Sequence, residues 1–211
     1  YAVEHSDNSI VLTDAKRNIL YVNEIFESNS GYSKDEVLGN KPKVLSSGLT
    51  PNSNYEELDY NLRRGKKWEG EFINQRKDGS IFYEKASIVP ILLDGKIINY
   101  LAIKLDITKY IKQQEELKES AIVFENTQEG ILVTNKNGII LSANKAFEDI
   151  SGYTQDELVG TKPNVLKSTE NDRHFYRRMF KELITKGYFK GKVYDEAKDG
   201  TKIPTWLNIT A

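Results

Sequence analysis

The sequence predicts an α+β protein made of two copies of one domain, with a helical linker between them. An internal repeat at a constant offset defines the two copies. Within each copy, two short strands come first, several short helices follow, and longer strands close the domain, an order typical of a sheet with helices on one side. We place the first domain at residues 1–106, the linker helix at 107–124 and the second domain at 125–211.

The repeat is clearest at a glycine-tyrosine pair. Gly31-Tyr32 recurs as Gly152-Tyr153, an offset of 121 residues (152 − 31). The offset holds from about residue 10 to residue 90, so the two copies should share one architecture. It also relates Asn23 to Asn144, Phe26 to Phe147, Gly39 to Gly160, Pro42 to Pro163, Gly70 to Gly191, and Lys77-Asp78-Gly79 to Lys198-Asp199-Gly200.

The first copy begins with two strands and a helix. Residues 9–13 and 19–22 are short runs rich in β-formers, and a polar turn separates them. Residues 23–29 then have a helical pattern, and Gly31 is the kind of residue that ends a helix. This segment therefore predicts a strand, a turn, a strand and a short helix.

Capping patterns predict two further helices in the first copy. Ser33-x-x-Glu36 is a capping-box sequence, and Thr154-x-x-Glu157 repeats it in the second copy. A longer helix is predicted over residues 53–64, because a serine begins that segment, a glutamate follows three positions later, and a glycine comes directly after it.

Three longer strands are predicted to close the first copy, at residues 68–76, 81–92 and 97–105. Asp-Gly pairs at 78–79 and 94–95 are turn sequences typical of hairpins, and each joins two of these strands. The three strands should therefore form a meander that completes the sheet begun near the N-terminus.

The linker has apolar residues at alternating steps of three and four, which predicts a helix with one apolar seam. Residues 106–124 would make about five turns at ~1.5 Å per residue. The seam either pairs with a second copy of the chain or packs back onto its own domains, and the sequence favours neither. Its positions are Ile107, Tyr110, Gln114, Leu117, Ala121 and Phe124.

Composition argues against several classes of protein. Thirty basic and 31 acidic residues give a net charge of −1, which does not suggest a nucleic-acid or membrane surface. No apolar run approaches the ~18–20 residues of a membrane helix, and no signal peptide begins the chain. We therefore expect a cytoplasmic protein without direct membrane insertion. Without cysteine, disulfides and iron–sulfur sites are excluded within this chain.

Catalysis is not expected. The chain has no phosphate-binding glycine loop, no HExxH motif and no cysteine nucleophile. It contains two histidines, too few for most histidine-centred sites, and its carboxylates are spread over predicted surfaces. We therefore expect no catalytic residues and no metal site in this chain.

Several short motifs occur together and in order: the Asn-x-x-Phe and Gly-Tyr pairs, the Gly-x-x-Pro segment, the Trp-x-Gly-Glu strand, the Lys-Asp-Gly hairpin and the closing Asp106-Ile107-Thr108. Together they resemble the PAS family, in particular the bacterial sensory domains found in tandem before signalling outputs. The resemblance implies, for each copy, a five-stranded antiparallel sheet with short helices on one face, an enclosed pocket, and a helix leaving the last strand.

The second copy departs from the family pattern at its end. The counterpart of strand 97–105 would fall at 218–226, beyond Ala211, so we predict a second domain that lacks its last strand. Tyr1 is not an initiator methionine. We expect the chain to be a fragment of a longer protein.

The strand at 68–76 supplies the candidate binding residues. Alternation along a strand places Trp68, Gly70, Phe72 and Asn74 on one face. These residues suit a planar heteroaromatic ligand, with stacking on Trp68, space above Gly70 and hydrogen bonds from Asn74. Alternatively, Trp68 is a core residue and Asn74 bonds a backbone group, because an unpartnered buried amide would cost roughly 1–3 kcal/mol.

The resemblance also implies a cofactor. In PAS domains of redox and aerotaxis regulators, which the first copy resembles, a tryptophan and an asparagine at these strand positions accompany flavin adenine dinucleotide (FAD). The second copy has Phe189 and Asp195 instead, and an ionised carboxylate would repel the carbonyl edge of a flavin. We therefore expect FAD, if present, in the first domain and no cofactor in the second. A flavin–cysteine adduct is excluded, since there is no thiol.

Haem is a further candidate, because some PAS domains supply their iron ligand from the region that corresponds to His174 of this chain. We favour instead an exposed histidine at a helix start, beside Asp172 and Arg173. His5 precedes the first strand and belongs to no ligand motif.

We interpret the chain as a sensory input module. A change in the pocket would pass through Asp106, Ile107 and Thr108 into the linker helix, with Asp106 or Thr108 as helix cap. The resemblance implies an output domain in the same polypeptide, a diguanylate cyclase or a histidine kinase. The alternative is a ligand-free module for dimerisation and spacing. Either function predicts a homodimer through the linker or the helices that flank the domains.

Overall fold

The computed structural model describes residues 6–211, so His5 lies outside the described part of the chain. These residues form two compact units that divide between Glu116 and Leu117. In the first unit the strands are β1 (Ser9–Asp14), β2 (Ile19–Val22), β3 (Trp68–Gln75), β4 (Ile81–Leu93) and β5 (Lys96–Asp106), and the helices are α1 (Glu24–Ser30), α2 (Lys34–Val37), a 3₁₀ turn (Pro42–Leu45) and α3 (Asn52–Arg63).

The strands of the first unit form one antiparallel sheet in the order β2-β1-β5-β4-β3. β5 pairs with β1 on one side and with β4 on the other, so the last strand of the unit lies at the centre of its sheet. Apolar side chains from the helices, such as Phe26 and Leu62, pack with those of one sheet face, here called the inner face. The predicted α+β fold is confirmed.

The Asn-x-x-Phe motif determines how α1 begins. The side-chain oxygen of Asn23 accepts hydrogen bonds from the backbone N–H groups of Phe26 (3.2 Å) and Ile10 (2.9 Å). Its amide donates to the carbonyl of Asn8 at 2.9 Å. One buried side chain therefore caps the helix and fixes it to β1. Asn144 makes the corresponding bonds in the second unit.

The two capping boxes are present in the structure. Ser33 with Glu36 starts α2, and Thr154 with Glu157 starts the equivalent helix of the second unit. The longer helix, α3, begins at Asn52, one residue earlier than predicted and without a side-chain cap. Pro51 precedes it and has a fixed φ that suits a helix start.

The linker forms helix α4 (Thr108–Asn126). No residue of this helix is buried. On the predicted seam, Tyr110 is 61% exposed and Leu117 is 64% exposed, and nearby Val123 is 69% exposed. None of the helices described between residues 6 and 211 has the length and apolar character needed to span a bilayer.

The second unit repeats the order of elements but not the complete sheet. Its strands pair as two separate two-stranded sheets, β6 (Leu132–Thr134) with β7 (Ile140–Ala143) and β8 (Tyr188–Glu196) with β9 (Lys202–Thr210). The described residues of this unit include no counterpart of β5, the strand that joins β1 to β4 in the first unit. The helices of this unit are α5 (Lys145–Ser151), α6 (Gln155–Leu158), a 3₁₀ turn (Pro163–Leu166) and α7 (Arg173–Lys186).

Candidate functional site

The four candidate residues of β3 lie in a row on the inner face of the first sheet. Trp68, Phe72 and Asn74 are buried, Gly70 lies between them, and the residues that alternate with them are exposed or half-buried. The rings of Trp68 and Phe72 are in contact, with centroids 5.1 Å apart and planes inclined by 44°. The strand therefore brings all four together, as its alternation predicted.

The space expected above Gly70 is filled by the indole of Trp68. A Cβ atom placed on Gly70 would lie 2.2 Å from Cζ2 of that ring. The glycine is thus needed for the tryptophan to lie flat along its own strand. The second unit repeats this packing, because a Cβ on Gly191 would lie 2.8 Å from Cζ of Phe189. The missing side chain accommodates an aromatic ring of the protein in both units.

Asn74 belongs to a buried polar network that spans three strands. Its amide donates to Oε2 of Glu84 on β4 at 2.6 Å, and Nζ of Lys104 on β5 donates to the same oxygen at 2.8 Å. Asn74, Glu84 and Lys104 are 5%, 1% and 6% exposed. The lysine also lies 5.6 Å from the ring centroid of Phe72. The partner of Asn74 is therefore a buried carboxylate, not the backbone group considered in the sequence analysis.

Sequence patterns alone did not single out Glu84 and Lys104 as site residues. A signal was available in the predicted strand, because Glu84 alternates with Phe82 and Ala86, both of which are apolar and face inward. A charge at an inward position is costly unless it is paired. The partner could not be read from the sequence, because it depends on the register between β4 and β5.

Three other polar atoms on this sheet are buried and have no hydrogen-bond partner among the described residues. They are Oγ of Ser9, Oγ1 of Thr13 and Nε1 of Trp68. Ser9 lies directly opposite Lys104 in the pairing of β1 with β5, so it neighbours the polar network. Buried polar groups are usually hydrogen-bonded. The inner face thus carries both paired and unpaired polar groups.

The corner between β5 and α4 is closely hydrogen-bonded. Oδ1 of Asp106 accepts from the backbone N–H of Thr108 at 2.8 Å and from its hydroxyl. The same hydroxyl accepts from the N–H of Tyr83 at 3.0 Å, and the N–H of Ile107 donates to the Tyr83 carbonyl at 2.9 Å. Asp106, Ile107 and Thr108 therefore attach the start of the helix to β4.

Asp106 is also held by an ion pair. Nη2 of Arg76 lies 2.8 Å from Oδ2 of Asp106. The guanidinium of Arg76 also lies 4.4 Å from the ring centroid of Phe82. Partial burial raises the pKa of Asp106, but hydrogen bonds from Thr108 and Arg76 outweigh it and hold that pKa below its usual range. Asp106 pairs directly with Glu84 across the β4–β5 ladder, so the corner adjoins the buried network.

The second unit has a different inner face. Phe189 is buried at the position of Trp68, and Asp195 is half-buried at the position of Asn74. Thr205 occupies the position of Glu84. Burial raises the pKa of Asp195, and a hydrogen bond from Thr205 offsets only part of this effect.

His174 is exposed in the first turn of α7, as the surface interpretation predicted. The N-cap of this helix is Asp172, whose side chain accepts from the backbone N–H of Phe175 at 2.7 Å. In the described part of the chain, no group of three or more histidine, cysteine, aspartate or glutamate side chains could hold a metal ion.

Comparison with protein families identifies both units. A family model described as "PAS domain" matches residues 7–109, and a second model, described as "PAS fold", matches residues 121–210. The two matches lie one after the other and together include most of the chain.

Curated relatives include signalling proteins. A nitrogen fixation regulatory protein of Klebsiella oxytoca is 31% identical over 151 residues, which are 69% of this chain and 30% of the relative. The oxygen sensor protein DosP of Escherichia coli is 26% identical over 78% of this chain and 21% of its own length. A blue-light photoreceptor of Listeria monocytogenes is 25% identical over 78% of this chain and 68% of its own length. The chain thus spans less than a third of the first two relatives.

A solved structure supports the fold. The structure of an RNA-binding light-oxygen-voltage receptor aligns with 57% of this chain and 35% of its own, with a TM-score of 0.51 and 22% identity. At that identity the likeness concerns the fold alone. With two successive family matches and the five-stranded sheet of the first unit, the conclusion is that this chain belongs to the PAS family and consists of two PAS sensory domains in tandem.

Proposed function

We propose that the first domain is a sensory input that binds a small heteroaromatic molecule on its inner face, with FAD as the leading candidate. The single observation that carries this proposal is the buried network of Asn74, Glu84 and Lys104, which adjoins the start of α4. Burying charged groups in a small core costs desolvation free energy even when they are paired. We therefore infer that the network serves binding or signalling.

The chemistry of these side chains fits a flavin ring. Asn74 and Lys104 carry hydrogen-bond donors and Glu84 an acceptor, and the polar edge of an isoalloxazine ring combines carbonyl acceptors with one N–H donor. Trp68 and Phe72 supply apolar surface beside these groups. A bound flavin would contribute a ring that absorbs light and accepts electrons. Asn74, Glu84 and Lys104 would hold its polar edge, and the two aromatic residues would exclude water.

The relay would run from this network through the β5–α4 corner. A ligand that draws Lys104 or Asn74 away from Glu84 would change the hydrogen bonds that hold β4 at Glu84. Glu84 follows Tyr83 on β4 and lies opposite Asp106 on β5. Thr108 joins both of these residues to the helix start. The helix would then act on an output domain in the same polypeptide, with a diguanylate cyclase or a histidine kinase as candidates.

Relatives support a signalling role of this kind. Their names describe a regulator of nitrogen fixation, an oxygen sensor and a blue-light photoreceptor. These activities belong to those proteins. For this chain they favour a sensory function and leave the signal itself to experiment.

Absorption spectroscopy tests the binding proposal. The purified protein should be yellow, or become so with added FAD, and the released cofactor is then identified by chromatography. Asn74→Ala should lower flavin content severalfold, because it removes one of the polar contacts. Asp195→Ala, the matched change in the second domain, should leave flavin content unchanged. Colourless protein that fails to bind FAD, FMN or riboflavin would contradict the proposal.

A ligand-free module for dimerisation and spacing is the second candidate, favoured by the exposed apolar residues of α4. Sedimentation of the native chain should then show a dimer that Leu117→Lys dissociates. Ile184→Lys is a matched control, since Ile184 is an exposed apolar residue of α7, with 83% exposure. A monomer at high concentration would count against this function.

A further inference from the structure

Arg17 adopts an unusual backbone conformation in the turn between β1 and β2. Its φ is 66°, in the left-handed region that side chains with a Cβ disfavour. In the second domain the corresponding residue is Gly138, with a φ of 72°. Glycine occupies this conformation without steric cost. The first domain therefore keeps an arginine at a position that its backbone suits to glycine.

The side chain of Arg17 reaches across to α3. Its Nη1 lies 2.6 Å from Oδ1 of Asp59, and its guanidinium lies 5.7 Å from the ring centroid of Tyr100 on β5. One residue thus bridges a helix and the central strand of the sheet. We call this contact of Arg17, Asp59 and Tyr100 the latch. The second domain has Gly138 and Phe180 at the positions of Arg17 and Asp59, so it has no latch.

The latch lies beside the aromatic end of the proposed binding face. Asp59 follows Leu58 on α3, and Leu58 packs in one buried cluster with Trp68 and Tyr100. Arg17 therefore holds the helix that covers Trp68 against the strand that carries Tyr100. Its ion pair with Asp59 is partly exposed, with side chains 35% and 41% accessible. Pairs this exposed are weak, so thermal motion should open the latch often.

We propose that the latch is the gate that controls access of ligand to the inner face of the first domain. This inference rests on the proposed binding function. Opening separates α3 from the β1–β2 turn and uncovers Trp68, and closing covers Trp68 again. The left-handed backbone of Arg17 is the local cost of placing the guanidinium there.

Quenching of Trp68 fluorescence by acrylamide measures the gate without any ligand. The chain has two tryptophans, and Trp206 is 73% exposed, so Trp206→Phe leaves Trp68 as the only reporter. In that background Arg17→Gly should raise the quenching constant roughly two- to fivefold, the range expected for an exposed ion pair. The urea midpoint should change little, because glycine relieves the strained backbone while the unfolded chain gains freedom.

Three further variants separate the gate from general loosening of the domain. Arg63 also approaches Asp59, at 3.8 Å, but is 78% exposed and does not bridge to the sheet. Arg63→Ala should therefore leave quenching unchanged. Exchange of the charges, Arg17→Asp with Asp59→Arg, should restore protection relative to Asp59→Arg alone, because aspartate tolerates a left-handed backbone. Unchanged quenching in Arg17→Gly, or no restoration by the exchange, overturns the gate.

Measurements of flavin binding and of quenching together distinguish a failure of the gate proposal from a failure of the binding proposal. If flavin binds and Arg17→Gly accelerates its release in stopped-flow measurements, both proposals are supported. If flavin binds but neither release nor quenching changes, the gate is wrong and the binding function stands. If no flavin binds but quenching rises in Arg17→Gly, the opening motion is real and its role in ligand access is overturned.

Discussion

The two domains share a scaffold and differ in what that scaffold encloses. Both position an aromatic ring over a glycine, Trp68 over Gly70 and Phe189 over Gly191. In the first domain the polar groups beside this ring form a buried carboxylate–lysine–amide network. In the second they are reduced to Asp195 and Thr205.

This difference separates the residues that build the scaffold from those that determine the chemistry of the interior. Motifs that build the PAS fold, such as the buried caps Asn23 and Asn144, are kept in both copies. The residues that give the interior its chemistry are not. The repeat is therefore preserved in its caps and turns but changed in the residues of its inner face.

The largest predicted effect concerns Lys104. Lys104→Met leaves the carboxylate of Glu84 buried without its charged partner, which should destabilise the first domain by about 3–5 kcal/mol. In the second domain, Thr205 occupies the position that corresponds to Glu84. Thr205→Val should destabilise that domain by only about 1 kcal/mol. Urea unfolding followed by Trp68 fluorescence, in the Trp206→Phe background, measures the first change, and circular dichroism measures the second.

A double variant serves as the control for the effect at Lys104. Glu84→Leu with Lys104→Met removes both charges and should recover part of the lost stability, because no unpaired charge remains. If Lys104→Met unfolds at the same urea concentration as the unsubstituted protein, the buried Glu84 carboxylate does not need its charged partner, and the predicted contrast between the domains is wrong.

The aromatic-over-glycine packing should differ in strength between the domains. Gly70→Ala would place a methyl group 2.2 Å from the Trp68 ring, and Gly191→Ala would place one 2.8 Å from the Phe189 ring. We expect about 1–3 kcal/mol of destabilisation at Gly70 and less at Gly191. Thermal unfolding measures both. Equal losses would show that the two rings have the same freedom to move.

The corner that joins β5 to α4 should show an effect of intermediate size. Asp106→Ala and Thr108→Ala should each weaken the helix start by about 1–2 kcal/mol, because each removes a hydrogen bond to a backbone N–H. Hydrogen exchange in the first turn of α4 should accelerate, and output regulation in the full-length protein should be lost. Lys109→Ala, an exposed change, is the control. Normal regulation in the double variant would contradict the relay.

The smallest predicted effects are on pH dependence, and they have opposite signs. The pKa of Asp195 is raised in the folded domain, so its contribution to stability declines as pH rises through that value. The pKa of Asp106 is lowered, so its contribution is present at neutral pH and is lost as pH falls through the folded value. Melting temperatures of Asp195→Asn and Asp106→Asn between acid and neutral pH measure this. At neutral pH the first variant should be slightly stabilised and the second destabilised.

Local sequence signals account for most of the fold. Helix caps depend on residues only a few positions apart, so they can be predicted from the sequence. Examples are the capping boxes at Ser33 and Thr154 and the left-handed glycines Gly31 and Gly152. Alternation placed Trp68, Phe72 and Asn74 on the buried face for the same reason. The repeat then extended these predictions to the second copy.

Contacts between strands and between distant segments could not be predicted from the sequence. The partner of Asn74 is Glu84 because of the β3–β4 register, and Lys104 joins them because β5 lies at the centre of the sheet. The latch needs the β1–β2 turn, α3 and β5 to meet, although Arg17, Asp59 and Tyr100 are far apart in sequence. The sequence by itself determined the elements, their caps and the repeat, because these follow from neighbouring residues. Only the tertiary structure decided which charges are buried together, because that depends on strand register and on packing across the sheet.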